Sequence, residues 1–221
     1  MSPATLQILP NEYYKSSEDY TWALAETNRE EYRAIVDAGF VLQIDDPALV
    51  DLYDWWFSFK EDMAGYRKWA TFQVEAVNHA LRGTPEDRVR FHICWGSWHG
   101  PHTGDVALKD IVDLLIKVKA QAYSVEAGNV RHEHEWKIWK DIKLPDGTLI
   151  IPGVVSHATN LIEHPEVVAD RIVHFAGTVG RENVIASTDS GLGGRVHPQL
   201  AWAKLNALAE GARLATIQLW S

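Results

Sequence analysis

His92 and Cys94 are the residues of this chain whose types and spacing most clearly allow chemistry. They lie two positions apart at the end of an apolar run, and side chains at positions i and i+2 of a strand point to the same face. An imidazole and a thiolate on one face can bind a divalent metal, and this pairing favours zinc over magnesium or calcium. Cys94 is the only cysteine, so it cannot form a disulfide within the chain. The alternative is structural: a buried cysteine packs as a small apolar residue beside a histidine that is bonded to the backbone.

The elements that would position this pair alternate between apolar, strand-like runs and amphipathic, helix-like segments. Strands are predicted at residues 39–45, 89–95, 122–126, 149–155 and 183–189. Helices are predicted at residues 17–38, 64–82, 108–119, 130–140, 165–179 and 198–214. Because near-continuous apolar strands that alternate with helices are typical of a parallel sheet covered by helices, we predict an α/β fold.

Polar or reactive side chains stand at the end of every predicted strand. These are Asp45–Asp46, His92 with Cys94, Glu126, Ser156–His157 and Asp189–Ser190. The carboxyl ends of parallel strands form the active sites of (β/α)8 barrels. Since neighbouring strands lie about 5 Å apart, Glu126 is the natural third ligand for a metal bound by His92 and Cys94. The alternative is that strand ends meet loops, and loops are polar.

Several segments around these residues resemble the cobalamin-independent methionine synthase family, in its shorter, single-domain branch. The segments are 43–49 (QIDDPAL), 92–96 (HICWG) with 100–102 (GPH), 124–126 (SVE), 153–157 (GVVSH) and 183–192 (NVIASTDSGL). They follow one another in the family's order, which makes the set far more specific than His92 and Cys94 alone. The resemblance implies the C-terminal catalytic portion of a (β/α)8 TIM barrel, truncated at its N-terminus, with about five of eight βα units present.

The resemblance also implies a zinc site with His92, Cys94 and Glu126 as metal ligands. Ser190 stands at the position of the family's fourth ligand, a cysteine, and a serine hydroxyl is a harder and much weaker ligand for zinc. Other side chains are alternatives for that position only because they are near in the sequence. They are His99, His102, His132 and His134.

Substrate-binding and catalytic roles follow from the same resemblance. His157 would be the catalytic polar group near the transferred methyl or its thiol acceptor. Asp45 would hold the amino group of an amino-acid thiol, and Trp95 and His102 would contact the substrate. Without the resemblance, Asp45–Asp46 is explained equally well as the cap of a helix that follows Pro47.

The reaction implied by the resemblance is zinc-dependent transfer of a methyl or alkyl group to a thiol. The small-molecule partners would be a donor of the 5-methyltetrahydrofolate type and a homocysteine-like acceptor, as in methionine biosynthesis. An epoxide–thiol transferase of the same family is the alternative enzyme. A non-catalytic subunit is the alternative outside catalysis. In either case, a second chain or another copy of this one would complete the barrel and cover an open sheet edge.

Composition and charge narrow the class of protein further. The 221 residues suit one domain, which we predict to be a single partial barrel over residues 1–221. The net charge of −9, with no basic cluster, disfavours nucleic acid or an anionic membrane as a partner. The first residues lack the pattern of a signal peptide, no apolar run approaches membrane-spanning length, and there is one cysteine. We therefore expect a cytoplasmic protein, and the resemblance implies that it is a methyltransferase-like enzyme.

Overall fold

The computed structural model of the chain describes residues 1–53, 62–97 and 101–221. These residues form two compact units, the first from Met1–Gly96 and Pro101–Tyr123 and the second chiefly from Ser124–Ser221. The strands in the described residues are β1 (Leu42–Asp45), β2 (Val89–His92), β3 (Ala122–Val125), β4 (Leu149–Val155) and β5 (Ser187–Thr188). They are ordered β1-β2-β3-β4-β5, so each strand neighbours the next one in the chain.

The helices of the first unit have clear local causes. They are α1 (Pro3–Leu6), α2 (Ser17–Asp37), α3 (Ala48–Asp51), α4 (Met63–Ala80) and α5 (Val112–Leu115). The hydroxyl of Ser16 accepts the backbone N–H of Asp19 at 3.0 Å and caps α2, one residue before the predicted start. The helix ends before Gly39, whose φ of 90° is a conformation that favours glycine.

Strands β1 and β2 pair in parallel, and this pairing confirms the predicted direction of the chain. The register joins Leu42 to Val89 at one end and Asp45 to His92 at the other. In β1, buried Leu42 and Ile44 alternate with exposed side chains, so one face packs into the core and the other does not. The carboxyl ends of the two strands therefore bring Asp45 and His92 side by side.

The second unit contains β4 and β5, which also pair in parallel, and the helices α6 (Pro165–Val179) and α7 (Pro198–Trp220). Its core joins β4 to both helices through a cluster of Val154, Val155, Val168, Ala169, Ile172 and Ala215. Arg171 of α6 donates to the carbonyl of Val154 and to the carboxylate of Glu133, both at 2.9 Å. These contacts fix the helix layer against the strand whose end carries His157.

Two glycines allow the strand ends of the second unit to approach closely. A Cβ at Gly153 would lie 2.4 Å from the Cα of Asp189, and one at Gly128 would lie 2.9 Å from the backbone of Val155. Both distances are far shorter than a carbon–carbon contact allows. The chain after β3 and the start of the segment after β5 can therefore both lie against β4 only because these positions lack side chains.

The predicted elements agree well with those observed, although α1 was not predicted, α7 extends beyond its predicted end and two other helical segments differ. The prediction for β4 has the same bounds as the observed strand, whereas β5 is reduced to two residues. The segment 108–119 is interrupted at Ile111, whose φ of −134° separates a 3-10 turn from α5. The predicted helix at 130–140 is a 3-10 helix, Glu133–Lys140, in which side chains three residues apart eclipse one another.

None of the helices in the described ranges is both long enough and apolar enough to cross a membrane. The prediction of one partial barrel domain over residues 1–221 stays a prediction.

Candidate active site

Three buried side chains meet in the second unit where its strands end. Glu126 follows β3, His157 follows β4 by one residue beyond Ser156, and Asp189 follows β5. A potential ligand atom of each lies within 4.8 Å of those of the other two. Each residue is no more than 1% exposed. Two carboxyl groups and an imidazole that are this close and this buried form a site with strong preferences for protons or a cation.

Asp189 connects the ends of β3 and β5 through its carboxylate. One oxygen, Oδ1, accepts the backbone N–H groups of Ala127 at 2.8 Å and of Gly128 at 2.6 Å. Burial raises the pKa of Asp189 to about 6, and these hydrogen bonds limit the rise because they favour the ionised form. The carboxylate therefore holds the backbone directly after Glu126.

Glu126 is held by two polar neighbours. The side-chain amide of Asn129 donates to Glu126 Oε2, and the guanidinium of Arg131 lies 3.9 Å from the same oxygen. Asn129 also lies 3.4 Å from Asp189 Oδ2, so one amide lies between the two carboxylates. Arg131 brings one positive charge to a cluster with two acidic groups, which leaves the site favourable for a further cation.

His92 and Cys94 belong to the first unit, and both are buried. The burial of His92 lowers the pKa of its imidazole, while the nearby carboxylate of Asp45 opposes that change. A lowered pKa keeps the ring neutral near pH 7, which is the form that binds metals. The imidazole of His92 thus has the chemical character that a metal ligand needs.

The adjacent residues Asp45 and Asp46 have different environments. Asp45 is exposed at the end of β1, whereas Asp46 is fully buried. The Oδ1 atom of Asp46 accepts the backbone N–H of Leu49 in the first turn of α3, so the capping interpretation is right for Asp46. Asp45 remains available to solvent and is the member of the pair that could bind a substrate.

Trp95 and His102, the other predicted substrate contacts, have buried side chains and belong to the first unit. Trp95 is fully buried and donates its indole N–H to the carbonyl of Val106 at 2.7 Å. The His102 ring nitrogen Nδ1 lies 3.1 Å from Asp105 Oδ1, and its side chain is 2% exposed. Each ring therefore has a polar contact with a residue of its own unit, and contact with a substrate stays a prediction.

The candidates for the fourth ligand position differ in their burial and in their neighbours. Ser190 is partly buried and directly follows Asp189 in the second unit. His132 lies 2.8 Å from Glu135 with both side chains buried, whereas His134 is exposed. His99 lies outside the described residues.

The donor set of the second unit fits a divalent ion such as zinc. Zinc is bound by histidine nitrogen and by aspartate or glutamate oxygen, and three protein ligands are typical of a catalytic zinc site. Glu126 is common to this set and to the set predicted from the sequence. The sequence placed Asp189 at a strand end but assigned it no role, and Asn129 was missed. The sequence signal that could have pointed to Asp189 is its position directly before Ser190, within a segment that resembles the family.

The fold and this site define an α/β protein with parallel strands and a polar cluster where the strands end, as in barrel enzymes. The chain belongs to the cobalamin-independent synthase family, because residues 8–213 match the model of its catalytic domain. This match confirms the family that the sequence motifs predicted.

Known relatives support the same assignment. The chain is 26% identical to a 2-hydroxypropyl-CoM lyase of Xanthobacter autotrophicus, over 98% of this chain and 60% of the relative. It is 27% identical to a methionine synthase of Saccharolobus solfataricus, over 95% of this chain and 54% of the relative. The chain therefore spans little more than half the length of these relatives.

A solved structure shows the fold. A B12-independent methionine synthase from Shewanella sp. W3-18-1, in complex with selenomethionine, superposes with a TM-score of 0.78 at 23% identity. The match covers 99% of this chain and 61% of the other. The α/β fold with a parallel five-stranded sheet is thereby confirmed, and the count of eight βα units stays a prediction.

Proposed function

We propose that this protein transfers a methyl or alkyl group to a thiol in a zinc-dependent reaction. The observation that carries the proposal is the juxtaposition of Glu126 and His157 within 4.8 Å, in a chain whose residues 8–213 match a synthase catalytic domain. These two residues come from separate segments that resemble the family. If both segments contribute to one active site, their side chains have to lie close together, as Glu126 and His157 do.

The residues that would hold zinc are His92, Cys94 and Glu126, with Ser190 at the fourth position. When bound, zinc supplies stabilisation of a thiolate at neutral pH, which makes a thiol a stronger nucleophile. Asp189 either joins this set or supports it by holding the backbone after Glu126. The two possibilities predict different metal contents in variants.

The other proposed residues act on the substrates. His157 is buried beside two carboxyl groups, where an imidazole can hold or deliver a proton next to the thiol or the transferred group. Asp45 is exposed at a strand end, where its carboxylate can bind the ammonium group of an amino-acid thiol. We propose a homocysteine-like acceptor and a donor of the methylated-folate type.

An epoxide–thiol transfer is the second candidate function. It is favoured by the match to a 2-hydroxypropyl-CoM lyase, which covers 98% of this chain. Both reactions need a thiolate and a proton for the leaving atom, which is the folate nitrogen in methyl transfer and the alkoxide oxygen in the opening of an epoxide. A non-catalytic subunit is the third possibility, and it predicts a partner chain rather than a bound metal. Light scattering distinguishes a monomer from a self-associated form that would complete the barrel.

Metal content per chain, measured by elemental analysis after purification without chelator, tests the proposal. We expect about one zinc per chain, lost in Cys94→Ser and in Glu126→Gln. The control is His134→Gln, since His134 is exposed and should leave the zinc in place. Loss in Asp189→Asn with retention in Cys94→Ser would assign the ion to the cluster of the second unit. No zinc in the wild type, even after incubation with the metal, would refute the proposed mechanism.

Activity then distinguishes the two electrophiles. Incubation with methylated folate and homocysteine should yield a methyl thioether if the first function is right. Incubation with an epoxyalkane and a small thiol should yield a hydroxyalkyl thioether if the second is right. A protein that binds zinc but yields neither product would turn the search to other thiols and alkyl donors.

A further inference from the structure

The second unit contains an ion pair between a fully buried lysine, Lys204, and Glu163, which lies shortly after His157 in the chain. Lys204 of α7 is 0% exposed, and its Nζ lies 2.9 Å from Oε2 of Glu163. The same ammonium donates to the carbonyl oxygen of Leu161. Lysine is almost never fully buried unless it is paired, because removing its charge from water costs several kcal/mol. The position of this lysine therefore calls for an explanation.

The second oxygen of Glu163 reaches the segment that carries His157. Oε1 accepts the backbone N–H of Ser156 at 2.8 Å. Glu163 thus uses one oxygen for Lys204 and the other for the residue directly before His157. The hydroxyl of Ser156 accepts the N–H of Ala158 at 3.1 Å, which adds a turn on the other side of His157.

The helix that carries Lys204, α7, packs closely against the start of α6. A Cβ at Gly211 of α7 would lie 2.4 Å from the side chain of Val168 and 2.9 Å from the carbonyl of Pro165. The close packing of α7 on the start of α6 therefore depends on Gly211. Lys204 is consequently held in place, and its ammonium group makes a salt bridge to Glu163 and a hydrogen bond to the carbonyl of Leu161.

We propose that Lys204 and Glu163 form a clamp that holds residues 156–163 and thereby positions the His157 ring. Both are positioning residues, since neither lies among the three side chains that meet at the site. The effect of the clamp on turnover rests on the proposed function, whereas its effect on the position of His157 does not. Sequence motifs do not reveal the clamp, because its two members lie 41 residues apart.

The clamp is tested by replacing Lys204 with methionine, which keeps the length of the side chain and removes its charge. Glu163, whose side chain is 10% exposed, would then lack its cation, and the segment should open to give the carboxylate more water. Hydrogen exchange should accelerate at the amides of Ser156 and His157 by about tenfold, which corresponds to about 1.4 kcal/mol. The His157 ring signals in a long-range proton–nitrogen spectrum, identified by their loss in His157→Gln, should shift.

Three further variants separate positioning from general stability. Arg213→Met removes an exposed ion pair with Glu210 from the same helix and should leave exchange at Ser156 and the His157 signals unchanged. Lys204→Arg retains the charge and should restore the His157 signals at least in part. Glu163→Gln combined with Lys204→Met removes both charges and keeps an acceptor for the Ser156 N–H, so its spectrum should be closer to wild type than that of Lys204→Met alone.

Particular results would overturn the clamp. Exchange that rises equally throughout the second unit in Lys204→Met would show a general structural role, as would His157 signals that coincide with wild type. If Lys204→Met does not fold, Glu163→Gln alone carries the test, with the same two readouts.

In an active enzyme, the kcat of Lys204→Met should fall by about tenfold or more with little change in KM. A wild-type protein that neither binds zinc nor transfers an alkyl group would refute the proposed function, while the exchange and ring signals would still decide on the clamp.

Discussion

Replacing Asp46 with asparagine should remove most of the pH dependence that this carboxyl group gives to folding. Asp46 is fully buried, and its Oδ1 accepts the hydroxyl of Thr5 and the backbone N–H of Leu49, both at 3.2 Å. Its Oδ2 has no partner in hydrogen-bond geometry among the described residues, although the Ser2 side chain lies near enough to the carboxylate to favour the ionised form. Burial raises the pKa of Asp46 to about 6, because the interactions with Ser2, Thr5 and Leu49 do not compensate for the loss of water around the charge.

The magnitude follows from the two pKa values of this group. The native pKa of about 6 exceeds the value of 3.8 for a solvated side chain, so the native state binds the proton more tightly. The contribution of Asp46 to the free energy of unfolding is therefore highest in acid, falls as pH rises from about 4 to about 6, and is level above that. The full loss is about 3 kcal/mol, and about 2 kcal/mol of it falls between pH 4 and pH 7.5.

Urea unfolding at several pH values, followed by tryptophan fluorescence, measures this effect. The asparagine oxygen can keep both hydrogen bonds of Oδ1, and its NH2 group takes the place of Oδ2 without a partner, at a cost of about 1–3 kcal/mol. That cost is the same at every pH. The stability of the variant relative to wild type should therefore increase by about 2 kcal/mol between pH 4 and pH 7.5.

The neighbouring Asp45 provides a matched control. Asp45 is exposed, so Asp45→Asn should change the pH dependence of unfolding very little. If Asp45 binds the substrate as proposed, this variant should instead raise KM for an amino-acid thiol by about tenfold. Equal pH dependence in Asp46→Asn and wild type would refute the argument that the burial of Asp46 raises its pKa.

Two further predictions concern packing around the site. Gly153→Ala should destabilise by about 3 kcal/mol, because the new Cβ would lie 2.4 Å from the Cα of Asp189. Gly177→Ala, in α6, should stabilise by about 0.5–1 kcal/mol, because nothing lies within 4 Å of the position that the new Cβ would take. Urea unfolding measures the stability of the two glycine variants, and a change of the same sign in both would contradict the packing argument. Trp95→Phe should cost about 1–2 kcal/mol through loss of the hydrogen bond to Val106. If Trp95 contacts the substrate as predicted, KM should rise as well, and an unchanged KM would contradict that contact.

Much of the fold was predictable because its causes are local. The run 149–155 is continuously apolar and is buried along nearly its whole length as β4, so the prediction of its bounds was right. The helix at 165–179 begins with a proline and ends before Gly180, and both signals act within one turn. For the segment 130–140 the sequence predicted a helix, and the structure has a 3-10 helix at Glu133–Lys140. The hydrophobic pattern indicated the helix but not its type.

The candidate site was predictable only in part. Glu126 and His157 were found because each stands at the end of an apolar run and within a segment that resembles the family. The support around them was not found. The hydrogen bond from Ala127 to Asp189 spans 62 residues, and the hydrophobic pattern of a sequence records which face of a strand is buried but not which distant side chain meets it.

The sequence by itself determined the alternation of strands and helices, the polar strand ends and the family, since these depend on neighbouring residues and on the order of short motifs. Only the tertiary structure decided that Asp189 holds the backbone after Glu126 and that Lys204 and Glu163 hold the segment of His157. It also distinguished two adjacent carboxylates, of which Asp46 is buried and Asp45 exposed. The physical reason is burial: a carboxylate or an ammonium group acquires its partners and its pKa from the atoms that replace water around it, and those atoms come from distant parts of the chain.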